Sequence, residues 1–230
     1  MPYFKKKDKN LLFIHIPKTG GTSLELYFRT KFNIPLNNKS LFNDFIIPFN
    51  NKLLCDFIEK HKLQNKINTS LQHMTYKTIV EYKDFFGINF DNINIITIVR
   101  NPYERIISDL FWSEKISVET SKDKVFEQIK MYVVSDKLDN HNIPQYLYIT
   151  NDDKEIIPNI KILHTETLQS DMVKLGYKDF YMKANSNKHN VNYYDYLNND
   201  AIELINDFYD YDFTLFNYEK ISTSSEEASI

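Results

Sequence analysis

Residues 11–23 constrain the fold more than any other stretch. Leu11-Leu-Phe-Ile-His-Ile16 is a short apolar run that reads as a buried strand, and Pro17 closes it. From Thr22 the pattern turns helical, through Leu24, Leu26, Tyr27 and Phe28. The connection is Pro17-Lys-Thr-Gly-Gly-Thr-Ser23. A loop running from a strand end into a helix start offers backbone N–H groups where the helix dipole favours an anion. Gly20 and Gly21 let the backbone curl closely around phosphate-like oxygens. Lys18 adds a mobile positive charge, and Thr19, Thr22 and Ser23 add hydroxyl donors. The chain holds only 4 glycines in 230 residues, against an average usage of about 7%. An adjacent pair in such a background marks a backbone requirement, and the segment predicts a phosphate or sulfate site. It is not a Walker A loop: there the lysine follows the last glycine, whereas Lys18 precedes the pair.

A second strand, Ile93 to Val99, repeats the logic. It runs into Arg100-Asn-Pro102, and Pro102 suits the first turn of a helix. Arg100 sits at the carboxyl end of the strand, where open α/β sheets place their ligands. Arginine is scarce here, 3 residues within a Lys plus Arg total of 28. Arg105 and Ser108 are three apart on the following helix and share a face. Arg100 with Ser108 is the expected grip on a second phosphate, since arginine binds such groups bidentately. Glu104 is expected to pair with an arginine at the helix start, a role that fits Arg105 better than Arg100. Two anion sites at adjacent strand ends imply one ligand with two separated anionic groups.

Elsewhere, Lys161 to His164 reads as a third strand and Asp200 to Tyr209 as a helix, with weaker helical patterns over Lys52 to Lys62 and Thr75 to Phe85. Strands alternating with helices predict an α/β fold: a P-loop-like central, mainly parallel sheet flanked by helices in a single domain. With 42% apolar and 26% charged residues the composition is globular, not disordered. One cysteine excludes an internal disulfide framework and a multi-Cys zinc site, and the sequence shows no clustered ligand set for a metal. A net charge of −3 argues against a dedicated nucleic-acid binder. No apolar stretch approaches the ~20 residues that span a bilayer, and none reads as a signal peptide, so the expectation is a cytoplasmic protein without membrane partners.

The strand-PKTGGTS-helix segment and the Arg100-Asn-Pro-Tyr-Glu-Arg-Ile-Ile-Ser108 block, about eighty residues apart in this order, resemble the two nucleotide signatures of sulfotransferases. The form His15-Ile-Pro-Lys-Thr-Gly-Gly-Thr-Ser23 looks closest to the carbohydrate sulfotransferases, particularly the heparan and uronosyl 2-O-type group. The resemblance extends to His141-Asn-Ile-Pro-Gln145, Ile162 to Leu168, and Tyr209 to Phe213, and it thins between Asn33 and Asn68. It implies a sulfotransferase domain over residues 1–221 followed by a flexible tail, 222–230. It implies 3′-phosphoadenosine 5′-phosphosulfate (PAPS) as sulfonyl donor. Lys18, Thr19, Gly20, Gly21, Thr22 and Ser23 then take the 5′-phosphosulfate, Arg100 and Ser108 the 3′-phosphate, and Lys188, in Asn185 to His189, a loop closing over the nucleotide.

In-line sulfonyl transfer to a hydroxyl needs a cation at the bridging oxygen, a base and fixed alignment. Lys18 fits the cation. His73, in Leu71-Gln-His-Met-Thr-Tyr76, is the expected base, having the right unperturbed pKa and, like the catalytic histidine of the resembling enzymes, lying between the two motifs. His15 reads as a packed core residue, His61 as solvent-exposed, and His141 as a contact to the acceptor or a loop carbonyl. Glu25 and Glu166 are fallback carboxylates, Glu166 more plausibly structural. The expected acceptor is a carbohydrate or other small hydroxyl compound. Two other readings stand beside this one: a nucleotide or small-molecule kinase, against which the lysine position speaks, and a catalytically inactive nucleotide-binding module, against which the intact Lys18 speaks.

Overall fold

The computed structural model describes residues 3–6, 9–33, 71–135, 139–181 and 191–223. Its centre is a four-stranded sheet in the order β1 (Tyr3–Lys6), β2 (Lys9–Ile14), β3 (Ile93–Val99), β4 (Ile160–His164). β1 and β2 form an antiparallel hairpin, while β2 with β3 and β3 with β4 are parallel. The sheet is therefore mainly parallel and mixed α/β, as the alternation of patterns predicts. The hairpin was not legible: Tyr3-Phe-Lys-Lys6 reads as hydrophilic, yet Tyr3 and Phe4 are both buried.

The strands are apolar on both faces because both faces are covered. Leu12, Ile14, Ile95 and Val99 pack with Met74, Ile79, Tyr148 and Phe216. Their neighbours Leu11, Phe13, Ile96, Ile98 and Leu163 pack instead against Leu24 and Phe28 of α1 (Gly21–Phe32) and Leu168 and Met172 of α6 (Leu168–Lys174). The period-2 alternation of a strand sends successive residues into the two layers. Between α1 and α6 in the chain come α2 (Tyr76–Glu81), α3 (Lys83–Phe86), α4 (Pro102–Trp112) and α5 (Lys122–Val133). The helical pattern over Thr75 to Phe85 is thus two helices, the first capped by the Thr75 side chain. A third cluster joins α4 and α5 to α7 (Asn199–Phe208) and α8 (Asp210–Leu215) through Ile107, Leu110, Ile129, Ala201, Ile205 and Phe213.

In the parallel registers Ile14 lies opposite Thr97, and Val99 opposite His164, so the carboxyl ends of β2, β3 and β4 reach one edge together. Two threonines tie that edge. Thr97 Oγ1 donates to Ile14 O at 2.9 Å. Thr165 Oγ1 lies within hydrogen-bond distance of both Thr19 O, at 2.7 Å, and Val99 O, at 3.1 Å. Among the described residues no helix is long and apolar enough to cross a membrane. The helical pattern at Lys52 to Lys62, His61, Lys188 and most of the predicted tail lie outside the described residues.

Candidate active site

The loop after β2 is tightly wound. Lys18 and Gly20 both have positive φ, 67° and 88°, and Gly20 is the N-cap of α1. No side chain caps α1 and no acidic residue stands in its first turn, an arrangement that suits an incoming anion. Gly21 answers a different need from the one its position suggests. A Cβ built there would land inside the imidazole of His15, so the glycine makes room for a ring beneath the loop. Thr19 is buried and its hydroxyl donates inward to Ile16 O at 2.9 Å, so what Thr19 offers a ligand is its backbone. Thr22 and Ser23 are half-buried in the first turn of α1.

Lys18 reaches over the indole of Trp112, with Nζ 4.9 Å from the ring centroid. Burial pulls its ammonium down from the ordinary lysine value to about 8; Asp109 opposes that shift and Arg100 adds to it.

At the end of β3 the pairing with Glu104 falls to the other arginine from the one the sequence favours. Arg100, not Arg105, pairs with Glu104: Nη2 is 2.9 Å and Nε 3.3 Å from Oε2. Arg100 Nη1 also donates to Lys18 O at 3.2 Å, and the guanidinium lies over Tyr193, so this residue spans the two loops. Its backbone is clamped by one side chain, since Gln145 accepts from Arg100 N at 2.9 Å and donates to Arg100 O at 2.8 Å. Arg105 is fully buried and donates to three loop carbonyls: Pro17 O at 3.2 Å, Ile143 O at 2.9 Å and His141 O at 2.6 Å. Helix position alone cannot assign these roles; packing beneath the loops does. Ser108 is half-buried on α4.

Three of the six histidines converge beside the phosphate loop. His15 and His73 meet edge to face at 5.3 Å, His73 and His141 at 4.9 Å, and His141 stacks on Trp112 at 5.3 Å. A continuous chain of rings thus joins the indole under Lys18 to His73, 55 residues away in sequence. Each ring has an acidic partner at Nδ1: Glu25 for His15 at 2.6 Å, Asp139 for His73 at 2.8 Å, Asp109 for His141 at 2.9 Å. Gln72 Nε2 lies a further 3.0 Å from His15 Nδ1. Burial draws His73 down to about 4, against the Asp139 hydrogen bond, so the ring is neutral at neutral pH. Burial pushes the Asp109 carboxyl up, but the His141 ring, the Tyr132 hydroxyl and Lys18 outweigh it and hold the group below the usual carboxylate range.

A family model described as the sulfotransferase family matches residues 1–153, two thirds of the 230-residue chain, including the glycine loop, the arginine block and all three clustered histidines. The chain belongs to the sulfotransferase family. No curated protein and no solved structure gives a significant match. Membership in the sulfotransferase family supports sulfonyl transfer as the general chemistry, with a small acceptor.

The sequence names Lys18, His73 and His141 separately, and the fold links them through one chain of ring contacts by way of Trp112. Glu25 lies buried against His15, and Glu166 has a structural task, accepting from Asn101 N at 2.8 Å and from the Tyr218 hydroxyl at 3.0 Å. Reasoning missed Trp112, Asp109, Asp139 and the clamp at Gln145. Trp112 carried a signal, as the only tryptophan in the chain and the last residue of the arginine-block helix. Asp139 carried none, because its pairing with His73 spans 66 residues.

Proposed function

We propose that this member of the sulfotransferase family moves the sulfonyl group of PAPS to a hydroxyl of a carbohydrate-type acceptor. The observation that carries the reading is the chain of ring contacts that runs from Lys18 through Trp112 and His141 to His73, which links a cation to a neutral imidazole. The loop residues suit the donor. The uncapped start of α1 and the positive φ of Gly20 present N–H groups in a curl, and Lys18, Thr19, Gly20, Gly21, Thr22 and Ser23 would hold the 5′-phosphosulfate. Arg100 and Ser108 would hold the 3′-phosphate, with Glu104 ceding the guanidinium; Lys188 would close over the nucleotide. When bound, PAPS supplies a sulfonyl group on a phosphate leaving group. Lys18 sets its positive charge where negative charge develops as that bond breaks. His73 accepts the proton of the acceptor hydroxyl, oriented by Asp139. His141 borders the acceptor side, and Trp112, 65% exposed, offers a flat apolar face on which a sugar ring stacks. Residues 1–221 act as one sulfotransferase domain in the cytoplasm, with no metal needed by the transfer itself.

The test is mass-detected sulfate transfer from PAPS across a panel of sugars. Lys18→Ala is expected to lower turnover by at least 10²-fold with the fold intact, and His73→Ala to do so with little change in PAPS affinity. Near-normal turnover in Lys18→Ala would overturn the mechanism.

A further inference from the structure

We propose that His73, Asp139 and His141 form a binding site for a divalent ion of the zinc class, and that filling it switches the transfer reaction off. One ligand atom from each of these residues lies within 4.8 Å of the others. A tetrahedral zinc with bonds of about 2.0–2.1 Å needs donors about 3.3 Å apart, so the three close on an ion by modest side-chain shifts. Two imidazoles and a carboxylate are the ligands of open zinc sites, which leave a fourth position for water or substrate. A donor set rich in imidazole selects zinc-like ions over magnesium or calcium.

The surroundings are built as a metal site's support is built. Asp109 Oδ1 accepts from His141 Nδ1 at 2.9 Å, and the Tyr132 hydroxyl donates to Asp109 Oδ2 at 2.6 Å. This carboxylate–histidine relay fixes the tautomer, turns the His141 Nε2 lone pair to the ligand side and raises its basicity. Asp139 is equally held. It and Asn140 both have positive φ, 51° and 63°, in a turn pinned to His73 itself: Asn140 Nδ2 donates to His73 O at 3.0 Å, and Tyr148 donates to Asn140 O at 2.7 Å. Two carboxylates stand against the ligand imidazoles, Asp109 on His141 and Asp139 on His73, and supply the negative charge a cation needs.

The switch rests on the reading of His73 as base, since an imidazole nitrogen bound to a metal no longer takes a proton from a hydroxyl. Zinc therefore inhibits here. The experiment uses the full chain, freed of metal with a chelator, and titrates zinc against a chromophoric competitor, with cobalt as a spectroscopic probe. One zinc per chain is expected, with intense visible cobalt bands typical of low coordination number. His141→Gln and Asp139→Asn should each weaken zinc at least tenfold, and Asp109→Asn by 10–100-fold through His141. Zinc should suppress transfer and a chelator restore it. Absence of saturable binding, weak octahedral cobalt bands, or unchanged affinity in all three variants overturns the site; the cobalt spectrum of the wild type decides even if a variant misfolds. Bound zinc that leaves transfer untouched overturns the switch. Zinc binding in a metal-free protein that never transfers sulfonyl groups overturns the transferase reading and the switch, and leaves the site standing.

Discussion

A side chain on Gly21 would collide with the His15 ring, and that ring cannot step aside because Glu25 holds its Nδ1 and Phe13 stacks on it. Gly20 differs: a Cβ there meets only Leu168 Cδ2 at an ordinary 3.7 Å, and the penalty is the left-handed backbone, about 1–2 kcal/mol. Gly20→Ala should thus lower the melting temperature by roughly 2–8 °C, and Gly21→Ala by clearly more, because it must also displace a buried ring hydrogen-bonded to Glu25. Calorimetry on the pair checks this; equal shifts would mean that His15 gives way freely. The same loop sets a pH limit through Lys18. Burial pulls its ammonium down to about 8, with Asp109 on α4 opposing and Arg100 at the end of β3 reinforcing. Charge is present below that value and lost above it, so kcat/KM for the nucleotide should fall as pH rises through about 8, well before ordinary lysines titrate. Lys18→Arg, which stays charged, should lack that descending limb. A limb unmoved by the substitution would assign it to another group.

At the level of elements, the sheet edge is held by polar relays between loops. Asp212 on α8 is fully buried and accepts from Gln145 N and Tyr146 N, each at 2.8 Å, and Gln145 in turn clamps both backbone groups of Arg100. Asp212→Asn turns an amide donor toward N–H groups that need acceptors, which costs about 1–3 kcal/mol. The expected result is a melting temperature lower by roughly 2–12 °C and weaker nucleotide binding through a misplaced Arg100; thermal denaturation and nucleotide titration measure both. How much of this was legible follows from range. β3, β4 and α7 were readable because apolar periodicity is a local signal, and the glycine loop because strand, turn and helix follow one another within thirteen residues. α5 was overlooked although Val125, Ile129, Tyr132 and Val133 stand at helical spacing. That Arg100 rather than Arg105 pairs with Glu104 was not readable, since both flank Glu104 and only burial of Arg105 under three loop carbonyls separates them. The histidine cluster was out of reach because 15, 73 and 141 belong to segments far apart in the chain that meet only in the folded structure.

For the molecule as a whole, a net charge of −3 means that the affinity for the proposed polyanionic nucleotide has to come from a few local donors rather than from the overall field. Adenosine 3′,5′-bisphosphate at a hundred times its Kd should stabilise the fold by about 2.7 kcal/mol, a rise in melting temperature of roughly 5–10 °C. ATP should give far less. A larger shift with ATP than with the bisphosphate, read by thermal denaturation, would favour a kinase. The rise should shrink in Arg100→Ala. Arg105 has a consequence at this same scale. One buried guanidinium ties the carbonyl of Pro17, where the donor loop begins, to those of His141 and Ile143, where the histidine side begins. The two loops therefore share a buried mechanical joint and do not drift independently as the sequence diverges. In a mutational scan scored by turnover alone, Arg105 would rank beside Lys18 as though it touched the substrate, while its real office is to keep the two loops facing each other.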